Sequence, residues 1–206
     1  MVETWALDNS KTVKDSLIDM IAVISEKLSI RRFKKIEENE GCVVTYLHGK
    51  GRIGVIVDAK TEVVNDAVKE ALTNVAMQIA AMNPKYISQA DIPESYKEHE
   101  KEILLAQAIE ENNKLPENKR KPENIIEKML IGRLNKQFKE ICLLDQVYVR
   151  AEDGKQTVGQ YLAQVGKENG TEIKIKEFVR FETGEGIEKR QDNFVEEVMA
   201  QANQAK

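Results

Sequence analysis

The segment Gly49-Lys50-Gly51-Arg52-Ile53-Gly54 has the spacing G-x-G-x-x-G. Dinucleotide-binding proteins use that spacing between a strand and a helix, because the helix N-terminus holds the pyrophosphate. Here Val55, Ile56 and Val57 follow at once, and a β-branched run reads as a strand. Glycines that open directly onto a strand belong in or beside a hairpin turn, where they supply φ > 0. The chain is thereby constrained to a hairpin at this point and turned away from a nucleotide-binding βα unit.

At 206 residues the chain can bury a sizeable core in one or two domains. Charged residues make up 32% and aromatics 5%, the profile of a helix-rich protein with a wet surface. A formal net charge of -4 gives no global basic excess that would make nucleic acid the main partner. No long apolar run and no signal-peptide pattern is present, so neither a membrane nor export is expected, and the expected location is cytoplasmic. The two cysteines, Cys42 and Cys142, are expected as buried thiols rather than a disulfide.

Site chemistry is sparse. The two histidines, His48 and His99, have no His or Cys at ligand spacing, so no metal is expected. Cys142 lies among Ile141, Leu143 and Leu144, which reads as a core thiol. There is no G-x-x-x-x-G-K-[ST] loop. Carboxylates are interspersed with lysines, as on solvated helix faces. No cofactor, no small-molecule ligand and no enzyme activity are expected. The enzyme alternative is a nucleotide-dependent oxidoreductase using Gly49, Gly51 and Gly54, which binding of a dinucleotide would support.

Hydrophobic spacing outlines the elements. Thr12 and Asp15 resemble a capping box before a helix with Val13, Leu17, Met20, Ile21, Ile24 and Leu28 on one face. Residues 30–36 read as a strand, and residues 42–47 and 53–57 as a hairpin pair. Val68, Leu72, Val75, Ile79 and Met82 mark a second core-facing helix, stopped by Asn83-Pro84. Pro93 suits a helix start, after which Tyr96, His99, Ile103, Ala106 and Ile109 form a stripe. Polar residues 110–124 follow, with Pro116 and Pro122, then a second stripe of Ile126, Leu130, Leu134, Phe138 and Ile141. Two such helices should pack antiparallel as a short coiled-coil arm reaching into solvent. The arm tip carries Lys114, Lys119, Arg120 and Lys121; it reads as a solvated tip, with RNA or an acidic protein as the alternative contact.

The last third echoes the first. Thr157-Val-Gly-Gln-Tyr-Leu162 matches Thr12-Val-Lys-Asp-Ser-Leu17, and each is followed by a strand ending in Arg-Phe, at Arg32-Phe33 and Arg180-Phe181. Residues 143–149 read as another strand. Asp192 can cap a terminal helix with Phe194, Val195, Val198 and Met199 on one side. The expected fold class is α+β. Two related small sheet-plus-helices subdomains, residues 10–90 and 143–190, flank the helical hairpin of residues 91–142, and a C-terminal helix spans residues 191–206.

In order along the chain, Ile30-Arg-Arg-Phe33, Tyr46-Leu-His48 with Gly51-Arg-Ile-Gly-Val55, Met77-Gln-Ile-Ala-Ala81 with Asn83-Pro-Lys-Tyr-Ile87, Gly132-Arg-Leu-Asn135 with Ile141-Cys-Leu-Leu-Asp-Gln146, and Arg180-Phe-Glu182 with Gly184-Glu-Gly-Ile-Glu-Lys189 resemble the bacterial elongation factor Ts family. That family exchanges guanine nucleotide on the translational GTPase elongation factor Tu. The resemblance implies an interaction protein, not an enzyme, that binds the GDP-bound and nucleotide-free partner and promotes GDP release. It implies that Arg52, Ile53, Gly54 and Gln78 face the GTPase domain, and that the terminal helix around Phe194 and Val198 docks there too. Gly54 serving only the turn and Gln78 being a solvated helix residue are the competing assignments. Family members usually carry an N-terminal ubiquitin-associated-like domain and a Thr-Asp-Phe motif that perturbs the Mg²⁺ site. Neither has a counterpart here, so a shortened form retaining core and arm is expected.

Overall fold

The computed structural model describes residue 6 and residues 10–187. The chain divides into two units, Met1–Ile36 and Glu37–Lys206, which are described separately. The expected terminal helix, with Phe194 and Val198, lies outside the described residues.

In the first unit, helix α1 spans Val13–Ile24. The capping box forms as expected: the Asp15 amide donates to the Thr12 hydroxyl, and the Asp15 carboxylate accepts from the Thr12 amide at 2.9 Å. Ser25, left-handed at φ 61°, ends the helix, and its N–H reaches the Ile21 carbonyl. Residues 30–36 do not form the expected strand. The physical reason is visible in the spacing. Ile30, Phe33 and Ile36 recur every third residue, whereas a strand gathers apolar groups on one face only at every second residue.

The second unit is built on one antiparallel sheet of strands β1 (Gly41–His48), β2 (Ile53–Lys60) and β3 (Lys174–Glu182), in the order β1-β2-β3. The hairpin pairs Gly41 with Lys60 and His48 with Ile53. Strand β3 adds to the other side of β2, pairing Ile53 with Glu182 and Lys60 with Lys174, with a bulge at Asp58/Ala59. The expected two sheets, each with its own helices, therefore meet a single sheet among the described residues. A two-stranded hairpin is marginal alone, and β3 supplies its third strand from the far end of the chain.

Helix α2 (Asp66–Met82) is capped by Asn65, whose side chain accepts from the Val68 amide, and ends at left-handed Asn83, φ 47°. Its Val68, Leu72, Val75 and Ile79 are buried in one core with Val55, Val57 and Ala59 of β2. Leu143, Tyr148, and Val158 and Leu162 from α5 (Val158–Glu168) join that same core. Thr157 and Gln160 form a capping box at the start of α5, the counterpart of Thr12 and Asp15.

Between these parts lie helices α3 (Glu94–Asn113) and α4 (Glu123–Ile141). They pair antiparallel: Gln137 donates to Glu100 at 2.6 Å, and Arg133 pairs with Glu111 at 2.7 Å. The stripe expected on α4 is the inward one, with Ile126, Leu130 and Phe138 buried. The stripe expected on α3 is displaced. Ile103, Ala106 and Ile109 are exposed, while Tyr96, Glu100, Leu104, Ala108 and Asn112 form the sheltered row. Glu100 and Asn112 are hydrogen-bonded there, to Gln137 and to the Lys121 backbone. Polar residues on the seam hid it from a hydrophobic count. A small second core of Ile92, Phe138 and Cys142, with Tyr86, Tyr96, Leu134 and Ile141 against it, seats the base of the pair.

Residues 143–149 are not a strand. Leu143–Asp145 form a short 3-10 turn, because the Leu143 and Leu144 amides are taken by the Tyr86 and Ile87 carbonyls and the Asp145 amide turns back to the Cys142 carbonyl. Both cysteines are buried and unbridged, as expected, and burial pushes the Cys142 thiol up to about 11. Among the described residues no helix is long and apolar enough to cross a membrane.

Candidate functional site

The turn between β1 and β2 occupies residues 49–52. Gly49, Lys50 and Gly51 all take positive φ, at 60°, 57° and 87°. The turn closes through the Gly51 amide to the His48 carbonyl at 3.2 Å and the Arg52 amide to the Gly49 carbonyl at 3.3 Å. A Cβ on Gly51 would meet nothing within 4 Å, so conformation rather than space requires glycine there. The G-x-G-x-x-G spacing is thus a hairpin turn followed by a strand, with no helix behind it.

A second glycine turn lies beside the first. Antiparallel pairing brings the end of β3 next to the start of β2, and the Thr183 amide donates to the Arg52 carbonyl at 2.9 Å. Gly184 and Gly186 then turn the chain at φ 78° and 70°, with the Ile187 amide returning to the Gly184 carbonyl. Around these turns Leu47 is 72% and Ile187 55% exposed. His48, Lys50 and Arg52 are exposed beside them. Large apolar groups left in water between a turn carrying Lys50 and Arg52 and one carrying Glu185 are the elements of a protein-binding patch.

The residues singled out from the sequence separate here. Arg52 is exposed at the turn, and Ile53 is half-buried against the main core. Gly54 pairs with Leu47 and Phe181 in the middle strand, and its φ is not positive. A Cβ there would sit 3.5 Å from Leu47 Cδ2, an ordinary contact, so neither conformation nor space demands glycine for the fold. Gln78 is neither at the surface nor a solvated helix residue. It is 0% exposed: its amide nitrogen donates to Gln146 Oε1 and the Val147 carbonyl, each at 3.1 Å, and its oxygen accepts from the Val149 amide at 2.8 Å. In this arrangement it presents no atom to a partner.

Arg180, part of the Arg-Phe-Glu motif, ties this end of the sheet to α2. Its Nε donates to the Ala80 carbonyl at 3.4 Å and its Nη2 to Glu182 at 2.9 Å. A cation over the last carbonyls of a helix complements the helix dipole. Gln146 was also missed as a structural residue; the signal available was a polar side chain interrupting the apolar run of residues 141–149.

The hairpin tip uses its own cations. The Arg120 guanidinium donates to the Leu115 and Asn113 carbonyls, and Lys114 pairs with Glu110 at 2.7 Å. Among the described residues no group of three or more His, Cys, Asp or Glu could hold a metal ion.

A family model described as Elongation factor TS matches residues 1–185. The chain is 45% identical over 192 residues to the Elongation factor Ts of Clostridium perfringens (strain SM101 / Type A), covering 93% of this chain and 60% of that protein. It is 42% identical over 199 residues to the Elongation factor Ts of Clostridium kluyveri (strain NBRC 12016), covering 97% of this chain and 62% of that protein. The chain therefore spans about three fifths of the length of these curated relatives.

Proposed function

We propose, because this chain belongs to the elongation factor Ts family, that it is the core of a guanine nucleotide exchange factor that binds elongation factor Tu and promotes GDP release in the cytoplasm. The observation that carries this reading is the pair of adjoining glycine turns at residues 49–52 and 183–187, with Leu47, Arg52 and Ile187 exposed in and beside them. Arg52, Ile53 and Gly54 are the proposed contacts. Gln78, expected as a contact, is buried against residues 146–149 and is not proposed as one. Phe194 and Val198 are proposed as a second contact on sequence grounds alone.

The proposed organisation keeps residues 10–90 and 143–190 as two sequence segments, of which β1 and β2 share one sheet with β3 and α2 shares one core with α5. Residues 91–142 are proposed as a coiled-coil arm; residues 191–206, expected as a docking helix, lie outside the described residues. The mechanism needs no covalent step. A protein that binds the nucleotide-free GTPase more tightly than the GDP-bound form lowers the affinity for GDP by the same factor, since the coupling is reciprocal. A turn already closed by its own hydrogen bonds suits this task, because less ordering entropy is lost on docking. Mixing the chain with elongation factor Tu loaded with a fluorescent GDP analogue tests the reading. A stable complex with faster GDP release supports it; no complex at micromolar concentrations overturns it.

A further inference from the structure

We infer that Gln78 and Gln146 form a buried relay that sets the direction of the α3/α4 hairpin relative to the end of the sheet, so that hairpin and turn reach one protein partner together. The inference rests on the reading above for its partner, but its geometry stands alone. Gln146 Nε2 donates to the Glu140 carbonyl at 2.7 Å, one of the last carbonyls of α4. Gln146 Oε1 accepts from Gln78 on α2, and the neighbours Val75 and Ile79 pack in the core with β2. An amide chain thus runs from the hairpin base to the element that carries the sheet.

The base has another fastening. The Lys85 and Tyr86 amides donate to the Ile141 carbonyl, and the Leu143 and Leu144 amides to the Tyr86 and Ile87 carbonyls. These main-chain bonds join only two short segments, residues 85–87 and 141–144. Beside that row the small core of Ile92, Phe138 and Cys142 packs, and the Gln89 side-chain amide donates to Asp145 at 2.9 Å. The relay adds a directional attachment to α2. Gln146 is 3% exposed and Gln78 0%. Both side chains also satisfy backbone groups, the Val149 amide and the Val147 and Glu140 carbonyls, so the polar pair fixes three segments to one another through directional bonds.

Spin labels on cysteines introduced at Lys119 and Thr45, both exposed, read the tip-to-sheet distance directly; native Cys42 and Cys142 are buried. The variant is Gln78→Met with Gln146→Met, which keeps the volume and leaves no side-chain amide unpaired. The expected result is a cooperative melt, a distance distribution at least twice as broad, and an affinity for elongation factor Tu lowered about tenfold, a single lost directional bond being worth up to ~1.5 kcal/mol. If the double-Met chain loses its cooperative melt, Gln146→Asn, too short to span from Gln78 to Glu140, takes its place with the same readouts. An unchanged narrow distribution overturns the relay. A broadened distribution with unchanged affinity overturns the joint reach to one partner. Failure of the parent chain to bind elongation factor Tu overturns the proposed function, while the distance measurement still decides the relay.

Discussion

Gly54→Val separates the requirements of the fold from those of the surface. Gly54 lies inside β2, flanked by Leu47 and Phe181 as cross-strand partners. Its φ is not positive, and a Cβ would be 3.5 Å from the end of Leu47, a side chain 72% exposed and free to move aside. Glycine within a strand costs about 0.5–1 kcal/mol relative to alanine, and β-branched residues suit a pleated surface. The variant should therefore be as stable as the parent or up to ~1 kcal/mol more stable, raising Tm by about 2–4 °C for a chain of this size. If elongation factor Tu packs its backbone against this strand, the added methyl groups overfill the contact by roughly 1–3 kcal/mol. That corresponds to a loss of about 5- to 150-fold in affinity. Urea denaturation and titration calorimetry with the GTPase, on the same preparation, read both quantities. Destabilisation beyond about 1 kcal/mol would refute the space argument, since it relies on Leu47 yielding cheaply. Unchanged affinity at unchanged stability would remove Gly54 from the contact surface.

Other positions test other parts of the reasoning. Gly166→Ala should destabilise by about 1–3 kcal/mol in urea melts, because its Cβ would lie 2.6 Å from the Thr171 carbonyl, which is backbone and cannot swing away; a neutral result would mean that the chain around Thr171 yields. Leu72→Ala removes a fully buried side chain from the main core, with an expected cost of about 2–5 kcal/mol; a shift in the denaturation midpoint too small for that range would place α2 outside the core. Replacing residues 108–132 by a short flexible linker spares Leu134, Phe138 and the small core at the base, so the melt should stay cooperative and near that of the parent, whereas an aggregated product would refute an independent hairpin. In Asp58→Asn the pH dependence should change. Burial, and then the neighbouring Glu38 carboxylate, raise the Asp58 carboxyl above its ordinary 3.8, while the hydrogen bond from Lys176 holds Glu38 down at about 2. Folded Asp58 thus keeps a proton that the unfolded chain has already released, so this group withdraws stability as the pH rises above 3.8. Asn at 58 should lift stability at pH 7 more than at pH 4, and equal shifts at both values would rule out Asp58 as the titrating group.

Local signals were legible wherever the physics is local. Thr12, Asn65 and Thr157 cap helices through bonds to residues three positions away, and Gly49 and Gly51 take the positive φ that a turn before Val55 requires. The apolar face of α2 and the inward stripe of α4 follow from helical spacing. The positions of Arg52 at the turn and of Ile53 and Gly54 at the head of a strand were readable for the same reason.

What escaped the sequence depended on partners far along the chain. Whether β3 founded its own sheet or completed that of β1 and β2 was decided by which strand edge it could reach, and a local pattern carries no address for its partner. Residues 143–149 have a strand's composition, yet the amides of residues 143–146 are taken by residues 86–87 and a tight turn, and those of Tyr148 and Val149 by the Gln156 carbonyl and the Gln78 side chain. Gln78 looked like a surface residue because a polar side chain beside an apolar stripe usually is one. Only the approach of Gln146, Val147 and Val149 made its burial affordable, by giving both ends of its amide a partner. Helix caps and turn glycines were therefore set by the sequence itself, and strand order and the buried amide relay by tertiary contact, because hydrogen bonds between distant segments exist only once the chain has brought them together.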